Sequence, residues 1–166
     1  MSNRCLDTWS LILRRCPGAV LLLKAHAFGE PATVAFFKDR LVKAGASPDQ
    51  VIFSPPGPFE EAMGTYAAID AVLDTMPYTG GTTTAQALWM GVPVVTRCGD
   101  NMCQRLSASF LTAVGLEKLI ARSEDEYIDI ACQLAEGGIR DGVARRDLRQ
   151  QAERTFCDAV TYTRNL

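Results

Sequence analysis

The strongest constraint on the fold is the alternation of short apolar runs with longer stretches of helical periodicity. Apolar runs near residues 19–24, 51–53, 70–74 and 93–96 have the length and composition of buried strands. Between them, apolar residues recur at helical spacing, and Pro or Gly marks several boundaries. A strand followed by a helix, repeated every about 20 to 30 residues, is typical of βα units that feed a parallel sheet. We therefore predict an α/β chain, with a Rossmann-like parallel sheet flanked by helices.

The last part of the chain is predicted to be helical. Ser123 and Glu126 have the spacing of a capping box at the start of a helix. Residues 140–157 alternate charges with few apolar positions, which is typical of a surface helix or of one that packs against a partner. At 166 residues the chain has the size of one domain. We predict a single domain over residues 1–166, with a C-terminal helical extension over residues 139–166.

Composition argues against several kinds of partner. The 17 basic and 19 acidic residues nearly cancel and form no long basic run, so we do not expect nucleic acid. The apolar runs are far shorter than the roughly 20 residues that span a bilayer, so we expect a soluble protein with no membrane contact. Six cysteines without a Cys-x-x-Cys pair, and a single histidine, argue against structural zinc. With no secretory signal sequence, this pattern predicts a cytoplasmic protein with reduced thiols.

The most informative segment covers residues 73–93. A strand ends at Asp74, the pair Gly80-Gly81 allows close backbone approach, and three threonines open a helix at Thr82. Unpaired amides at a helix N-terminus, with the helix dipole behind them and hydroxyls beside them, can bind phosphate oxygens. The segment also follows a strand of the predicted parallel sheet, where open α/β proteins bind ligands. The spacing alone fits equally well a turn and helix cap that bind nothing.

Other conspicuous polar residues have structural interpretations. Lys24 and His26 follow the first strand and either touch substrate or, as we favour, support the loop there. Asp70 and Asp74 have the spacing of one strand face, and we favour hydrogen bonds to the neighbouring loop over acid-base chemistry.

Sulfur and indole side chains also have structural interpretations. Cys98 and Cys103 flank a short loop, but the single histidine lies elsewhere in the sequence, so we interpret both thiols as inert. Trp9 and Trp89 lie on apolar helix faces and are predicted core residues.

Four stretches of the sequence are distinctive. In chain order they are LRRCPGAVLLLKA, VIFSPPGPFEE, LDTMPYTGGTTTAQALWMGVPVVT and RLSASFLTAVGLEKLIARSEDEYIDIACQLA. Together they resemble the C-terminal catalytic region of the O-linked N-acetylglucosamine transferases, glycosyl transferase family 41. The resemblance covers nearly the whole chain, and the third stretch is the most specific. It implies the GT-B arrangement of two facing Rossmann-like domains, of which this chain resembles the second, the nucleotide-sugar-binding one.

The resemblance implies a UDP-sugar site. Gly81, Thr82 and Thr83, with Gly80 beside them, match the family's diphosphate-binding turn. Gln86 falls where the family commonly has an acidic residue that holds the ribose hydroxyls. A glutamine can still hydrogen-bond there, but the contact lacks the assistance of a charge.

The resemblance also implies a site for the base. Gly57 and Phe59 match the loop that meets the uracil, and Ala62 matches a position where some members stack a histidine. Arg105 resembles a family arginine at the phosphate edge, although a structural salt bridge explains it equally well. Because the family generally works without a metal, we expect neither a metal site nor a cofactor.

The implied function is the UDP-sugar-binding half of an inverting transferase that moves N-acetylglucosamine from UDP-N-acetylglucosamine to Ser or Thr hydroxyls of a protein acceptor. In the family, the acceptor-side catalytic groups and a phosphate-binding lysine lie upstream of the matched region, in an N-terminal catalytic domain. We therefore assign no catalytic residue and expect this chain to be inactive by itself. Two alternatives stay open: a transferase for another nucleotide sugar, or a non-catalytic fragment that binds nucleotide or packs against a partner.

Overall fold

A computed structural model describes residues 2–137 and 142–164 of the chain. The chain divides into two compact units, Met1–Thr65 and Tyr66–Leu166. Within each unit the paired strands are parallel, and helices flank them. The predicted α/β class with parallel strands is confirmed.

The described part of the first unit, residues 2–65, contains two strands and three α-helices. They are α1 (Asn3–Arg15), β1 (Leu21–Lys24), α2 (Pro31–Lys43), β2 (Val51–Ser54) and α3 (Phe59–Gly64). The α1 helix begins after Ser2, whose hydroxyl accepts a hydrogen bond from the Cys5 amide at 3.2 Å. Trp9 on α1 is 3% exposed, as predicted for a core residue. The two strands pair from Leu21 opposite Val51, so their ends on the side of Lys24 lie together.

Over residues 66–137 and 142–164, the second unit contains three strands and five α-helices. They are β3 (Val72–Leu73), α4 (Thr82–Trp89), β4 (Val94–Arg97), α5 (Leu106–Ala113), β5 (Ile120–Ala121), α6 (Glu124–Gly137), α7 (Gly142–Arg154) and α8 (Ala159–Arg164). Strand β4 lies between β3 and β5. Its consecutive residues Val94, Val95 and Thr96 are all fully buried, so both faces of the strand are covered.

Several strand boundaries differ from the prediction. Strand β1 begins at Leu21 rather than at residue 19, and β3 covers only Val72–Leu73. Asp70 therefore lies outside β3, and its predicted position on one strand face with Asp74 is wrong. The two-residue β5 was not predicted, because the last part of the chain was predicted to be helical.

The start of α6 is capped nearly as predicted. The Ser123 hydroxyl accepts a hydrogen bond from the Glu126 amide at 3.1 Å. The Glu126 carboxylate accepts from the Arg122 amide at 2.7 Å, so the reciprocal bond of the box forms one residue upstream of the cap. No helix among the residues that the structure describes has the length and hydrophobicity to cross a membrane.

Helices α7 and α8 occupy the predicted C-terminal extension, of which residues 139–141 and 165–166 lie outside the described residues. Helix α7 packs against the C-terminal end of α4. A side chain at Gly91, where φ is +72°, would collide with the backbone of Arg145. The guanidinium of Arg149 lies 4.5 Å from the ring centroid of Trp89. Trp89 is half-buried under this arginine, so its predicted place in the core is wrong.

Candidate functional site

Asp74 organises the turn that follows β3, which we call the glycine turn (residues 74–81). The residue is 5% exposed, and its Oδ1 accepts hydrogen bonds from the amides of Thr75 at 2.9 Å and Gly80 at 2.7 Å. Its Oδ2 accepts the hydroxyl of Thr96 at 2.6 Å. The chain therefore curls around one carboxyl group, and the prediction that Asp74 bonds to the neighbouring loop is confirmed.

Burial raises the pKa of the Asp74 carboxyl above its ordinary value, because the charged form loses its hydration. The hydroxyl and amide donors around the carboxyl lower its pKa by less than burial raises it. The backbone carbonyl of the same residue accepts the Tyr127 hydroxyl at 2.9 Å. These contacts hold the end of β3 from both its side chain and its main chain.

Gly80 is held through both its amide and its carbonyl. Its amide bonds to Asp74, and its carbonyl accepts the Ser107 hydroxyl at 2.8 Å. A Cβ atom on Gly80 would lie 2.5 Å from Oγ1 of Thr84 and 2.8 Å from Oγ1 of Thr83. These distances are shorter than real side-chain carbons adopt, so packing requires glycine at this position.

The glycine turn is also tied to the loop before α5. The amide and the hydroxyl of Thr79 both donate to the Cys103 carbonyl, each at 2.9 Å. The Ser107 amide donates to Oγ1 of Thr79 at 3.5 Å. Cys98 and Cys103 are half-buried residues of that loop. The loop before α5 thus serves as a second support for the turn.

Sequence analysis missed two supporting residues, Thr96 and Ser107. For Thr96 a signal exists, because Leu73 pairs with Val95 in the parallel register and the next residues along, Asp74 and Thr96, must then be neighbours. For Ser107 there is no such signal, since its contact depends on how α5 packs against the turn.

Helix α4 begins directly after the glycine turn and has no side-chain cap. Gly81 occupies the N-cap position, and the first backbone bond of the helix runs from the Ala85 amide to the Gly81 carbonyl at 3.0 Å. The amides of residues 82–84 therefore have no acceptor within the helix. A Cβ atom on Gly81 would meet nothing within 4 Å, so the space beside these amides is open.

The three threonines at the start of α4 are not equivalent. Thr84 is 2% exposed, and its hydroxyl lies 2.8 Å from that of Ser107, so it belongs to the core. Thr82 and Thr83 are exposed. Gln86 follows Thr82 by four residues, which places it on the same helix face, and it is half-buried. The structure thus brings together Gly80, Gly81, Thr82, Thr83 and Gln86 at one helix start.

The other predicted site residues belong to the first unit. Gly57 lies in the proline loop (residues 55–58), where a Cβ atom would come within 2.6 Å of the flexible Glu61 carboxylate. Phe59 begins α3 and is 66% exposed, and Ala62 on the same helix is half-buried. Their assignment to a base-binding site stays a prediction.

The basic residues near the strand ends have different surroundings. Lys24 donates to Oγ1 of Thr65 at 3.1 Å and lies 3.8 Å from a Glu61 carboxylate oxygen, as expected for support of the local loop. His26 begins a 3-10 turn and is exposed. Arg105 is exposed immediately before α5, whose Ser107 holds the glycine turn.

The start of α4 is an open surface. Two surface cavities of about 680 and 580 Å³ are lined by residues of neither the glycine turn nor the first turn of α4. Within residues 2–137 and 142–164, no three His, Cys, Asp or Glu side chains are grouped as metal ligands. The groups available to a ligand here are backbone amides and hydroxyls, which suit an anion.

Comparisons with known proteins bear on this site. The family model for glycosyl transferase family 41 matches residues 1–166. A probable UDP-N-acetylglucosamine–peptide N-acetylglucosaminyltransferase SPINDLY from Petunia hybrida is 37% identical over the whole chain. A probable enzyme of the same activity, SEC from Arabidopsis thaliana, is 32% identical. The chain spans only 18% and 17% of the lengths of these two relatives.

A solved structure has a similar fold. It is a mutant O-GlcNAc transferase from Thermobaculum terrenum, with a TM-score of 0.82 and 38% sequence identity. The match covers 93% of this chain and 29% of the other chain. The similarity in sequence and in fold therefore covers only a part of each of these longer proteins.

Proposed function

Because the chain belongs to glycosyl transferase family 41, we propose that it binds the nucleotide-sugar donor, UDP-N-acetylglucosamine, for a protein glycosyltransferase. The observation that carries the proposal is the uncapped start of α4, with open space at Gly81 and exposed hydroxyls at Thr82 and Thr83. The names of the relatives, which specify this donor and a peptide acceptor, support it.

The diphosphate of the donor binds at the start of α4. Its oxygens face the free amides of the first turn, the positive end of the helix dipole and the hydroxyls of Thr82 and Thr83. In transfer the diphosphate leaves with the bonding electrons, so donors that are already in place stabilise the charge that develops on it. This arrangement needs no metal held by the protein, and we propose none.

The ribose and the base of the nucleoside are assigned to different residues. The Gln86 amide, on the same helix face as Thr82, hydrogen-bonds the ribose hydroxyls. Gly57, Phe59 and Ala62 meet the uracil. The exposed Phe59 gives the base a flat apolar surface, and Ala62 stands where some family members stack a histidine.

The acceptor is a Ser or Thr hydroxyl of a protein, which attacks the anomeric carbon from the side opposite the diphosphate and inverts its configuration. An opposing N-terminal catalytic domain, as in a GT-B transferase, holds that hydroxyl in place. The relatives are several times longer than this chain, which leaves room for such a domain in them.

A second candidate is a transferase for another nucleotide sugar. It is favoured by Gln86, Phe59 and Ala62, which differ from the residues that the family commonly uses for ribose and uracil. Calorimetric titration with UDP, UDP-N-acetylglucosamine, UDP-glucose and GDP separates the two. Tightest binding of UDP-N-acetylglucosamine supports the first candidate, and tighter binding of another donor or of GDP supports the second.

The phosphate assignment is tested by replacing Thr82 and Thr83 together with Val, which removes two hydroxyl donors and keeps the shape. We expect UDP binding to weaken by about 1 to 3 kcal/mol, with the melting temperature unchanged. Thr112→Val, at an exposed position in the last turn of α5, is the matched control. Unchanged affinity in the double variant, or binding that requires magnesium, would contradict the assignment.

A further inference from the structure

Two adjacent peptide groups at the end of the glycine turn are each held by a side chain. The Thr79–Gly80 peptide is held through its N–H by Oδ1 of Asp74 at 2.7 Å. The Gly80–Gly81 peptide is held through its carbonyl by the Ser107 hydroxyl at 2.8 Å. Because a trans peptide is planar and its N–H and C=O point in opposite directions, the second contact also fixes the direction of the Gly81 N–H.

The Gly81 N–H is the amide immediately before the open start of α4. The direction of the Gly81 N–H depends on both the Asp74 and the Ser107 contact. If the Thr79–Gly80 peptide rotated, the Gly80–Gly81 peptide that carries this N–H would move with it. Ser107 also bonds to the Thr84 hydroxyl, so the turn and the first turn of α4 share one support. A loss of either contact therefore misdirects the amides without removing any of them.

From this geometry we propose that Asp74 is a positioning residue for anion binding at α4. It touches no ligand itself, and acts through the Gly80 amide by holding the glycine turn in the conformation that directs the Gly81, Thr82 and Thr83 amides to one point. The inference rests on the proposed function, because the anion is the diphosphate of the donor.

The partners of Asp74 agree with a positioning role. The groups that bond to its carboxyl are neutral donors, namely two amides and the hydroxyls of Thr96 and Ser107. A carboxyl at a buried position with neutral partners is less favourable for stability than a salt-bridged or exposed one. Its two oxygens can, however, serve a turn amide and the neighbouring strand at the same time, which a smaller polar side chain cannot do.

The experiment separates the Gly80 contact from the overall stability of the fold. Asp74→Ala removes every contact of the carboxyl, and Asp74→Asn keeps an Oδ1 acceptor for the Gly80 amide. Thr96→Val leaves the two contacts of Oδ1 and removes the one at Oδ2. For each variant we measure the melting temperature, the hydrogen exchange of the Gly80 amide by NMR, and the Kd for UDP by calorimetry.

We expect Kd to follow the exchange rate of the Gly80 amide and not the melting temperature. Asp74→Ala loses protection of that amide and binds UDP about tenfold or more weakly. Asp74→Asn recovers most of the amide protection and most of the affinity. Thr96→Val keeps Kd within about twofold of wild type, even if its melting temperature falls as far as that of Asp74→Ala. If Asp74→Ala does not fold, Thr96→Val still tests the inference: a lower melting temperature with unchanged Kd supports it, and a weaker Kd with a protected Gly80 amide overturns it.

Two outcomes overturn the inference. In the first, wild type binds UDP but Kd follows the melting temperature in all variants, which reduces Asp74 to a general structural role and leaves the proposed function intact. In the second, wild type does not bind UDP, which overturns the proposed function and the inference with it. Protection of the Gly80 amide distinguishes a folded turn that does not bind UDP from a turn that has lost its shape.

Discussion

The glycine turn and the proline loop both follow a parallel strand, yet they are held in different ways. The glycine turn is closed by three hydrogen bonds: Asp74 accepts from the Gly80 amide, Ser107 donates to the Gly80 carbonyl, and Thr79 donates to the loop before α5. Three of the four residues of the proline loop are prolines. Because proline has no amide N–H to donate, the ring geometry of these residues fixes the shape of the loop instead. Its neighbour Phe59 is 66% exposed.

This contrast teaches that the two halves of the proposed nucleotide site are prepared to different degrees. The amides and hydroxyls that we propose as phosphate donors at α4 are held by the turn without a ligand, so little entropy would be lost in ordering them. The flat surface offered to the base is an exposed side chain, which the ligand itself must order. Substitutions at the packed positions of the turn should therefore change stability, whereas those beside the proline loop should change affinity alone.

The largest effect is expected for Gly80→Ala. The added carbon would overlap Oγ1 of Thr84 and of Thr83, and overpacking of this kind lowers the free energy of unfolding by about 1 to 3 kcal/mol. Urea denaturation measures it. Gly81→Ala is the matched control, since its added carbon meets no atom within 4 Å and should change stability by about 0.5 kcal/mol at most. Equal losses in the two variants would show that the turn is not packed as described.

An intermediate effect is expected from pH. Burial raises the folded-state pKa of Asp74, so the folded state holds its proton to higher pH than the unfolded chain does. The resulting stability is fully present below the unfolded-state pKa, near about 4, and is lost as pH rises through the folded-state value. Asp74→Asn lacks this titration.

The unfolding free energy of Asp74→Asn, relative to wild type, should therefore increase with pH. The increase is about 1.4 kcal/mol for each unit by which the folded and unfolded pKa values differ. Urea denaturation of both proteins from pH 3 to pH 7 measures this increase. Subtracting the wild-type unfolding free energy removes the contribution of the titrating groups that both proteins contain. A relative stability that stays flat or falls over this range would show that the carboxyl is not destabilised by burial.

The smallest effect on stability is expected for Phe59→Ala. Because the side chain is largely exposed, the free energy of unfolding should change by about 0.5 kcal/mol at most. Binding of UDP should weaken by about 1 to 3 kcal/mol through loss of stacking, while binding of pyrophosphate, which has no base, stays the same. Phe36→Ala, at a position 58% exposed on α2, is the control. Equal weakening for pyrophosphate and UDP would rule out a contact with the base.

The same contrast explains what the sequence could predict. Apolar periodicity located four of the five strands and the start of α4 at Thr82, because those signals are local in the chain. The position of Asp74 at the end of a strand also favoured a structural role for this residue over a catalytic one. The roles of Ser107 and Arg149 could not be predicted, since each depends on which face of a distant helix meets the turn or α4. The two-residue β5 was missed because its segment lies in the part of the chain that was predicted to be helical, whereas the equally short β3 lies within an apolar run.

The packing of α7 on α4 has a consequence for screens of variants. Residue 91 faces the backbone of Arg145, and a main chain cannot retract as a side-chain tip can, so nearly every substitution there must displace a helix. Helix α4 is only eight residues long, and a displacement at its C-terminal end shifts its other end too. Variants at Gly91 or Trp89 would then score as nucleotide-binding mutants, although these residues lie about 10 Å along the helix from Thr82. A map of the site drawn from activity data alone would extend too far along α4.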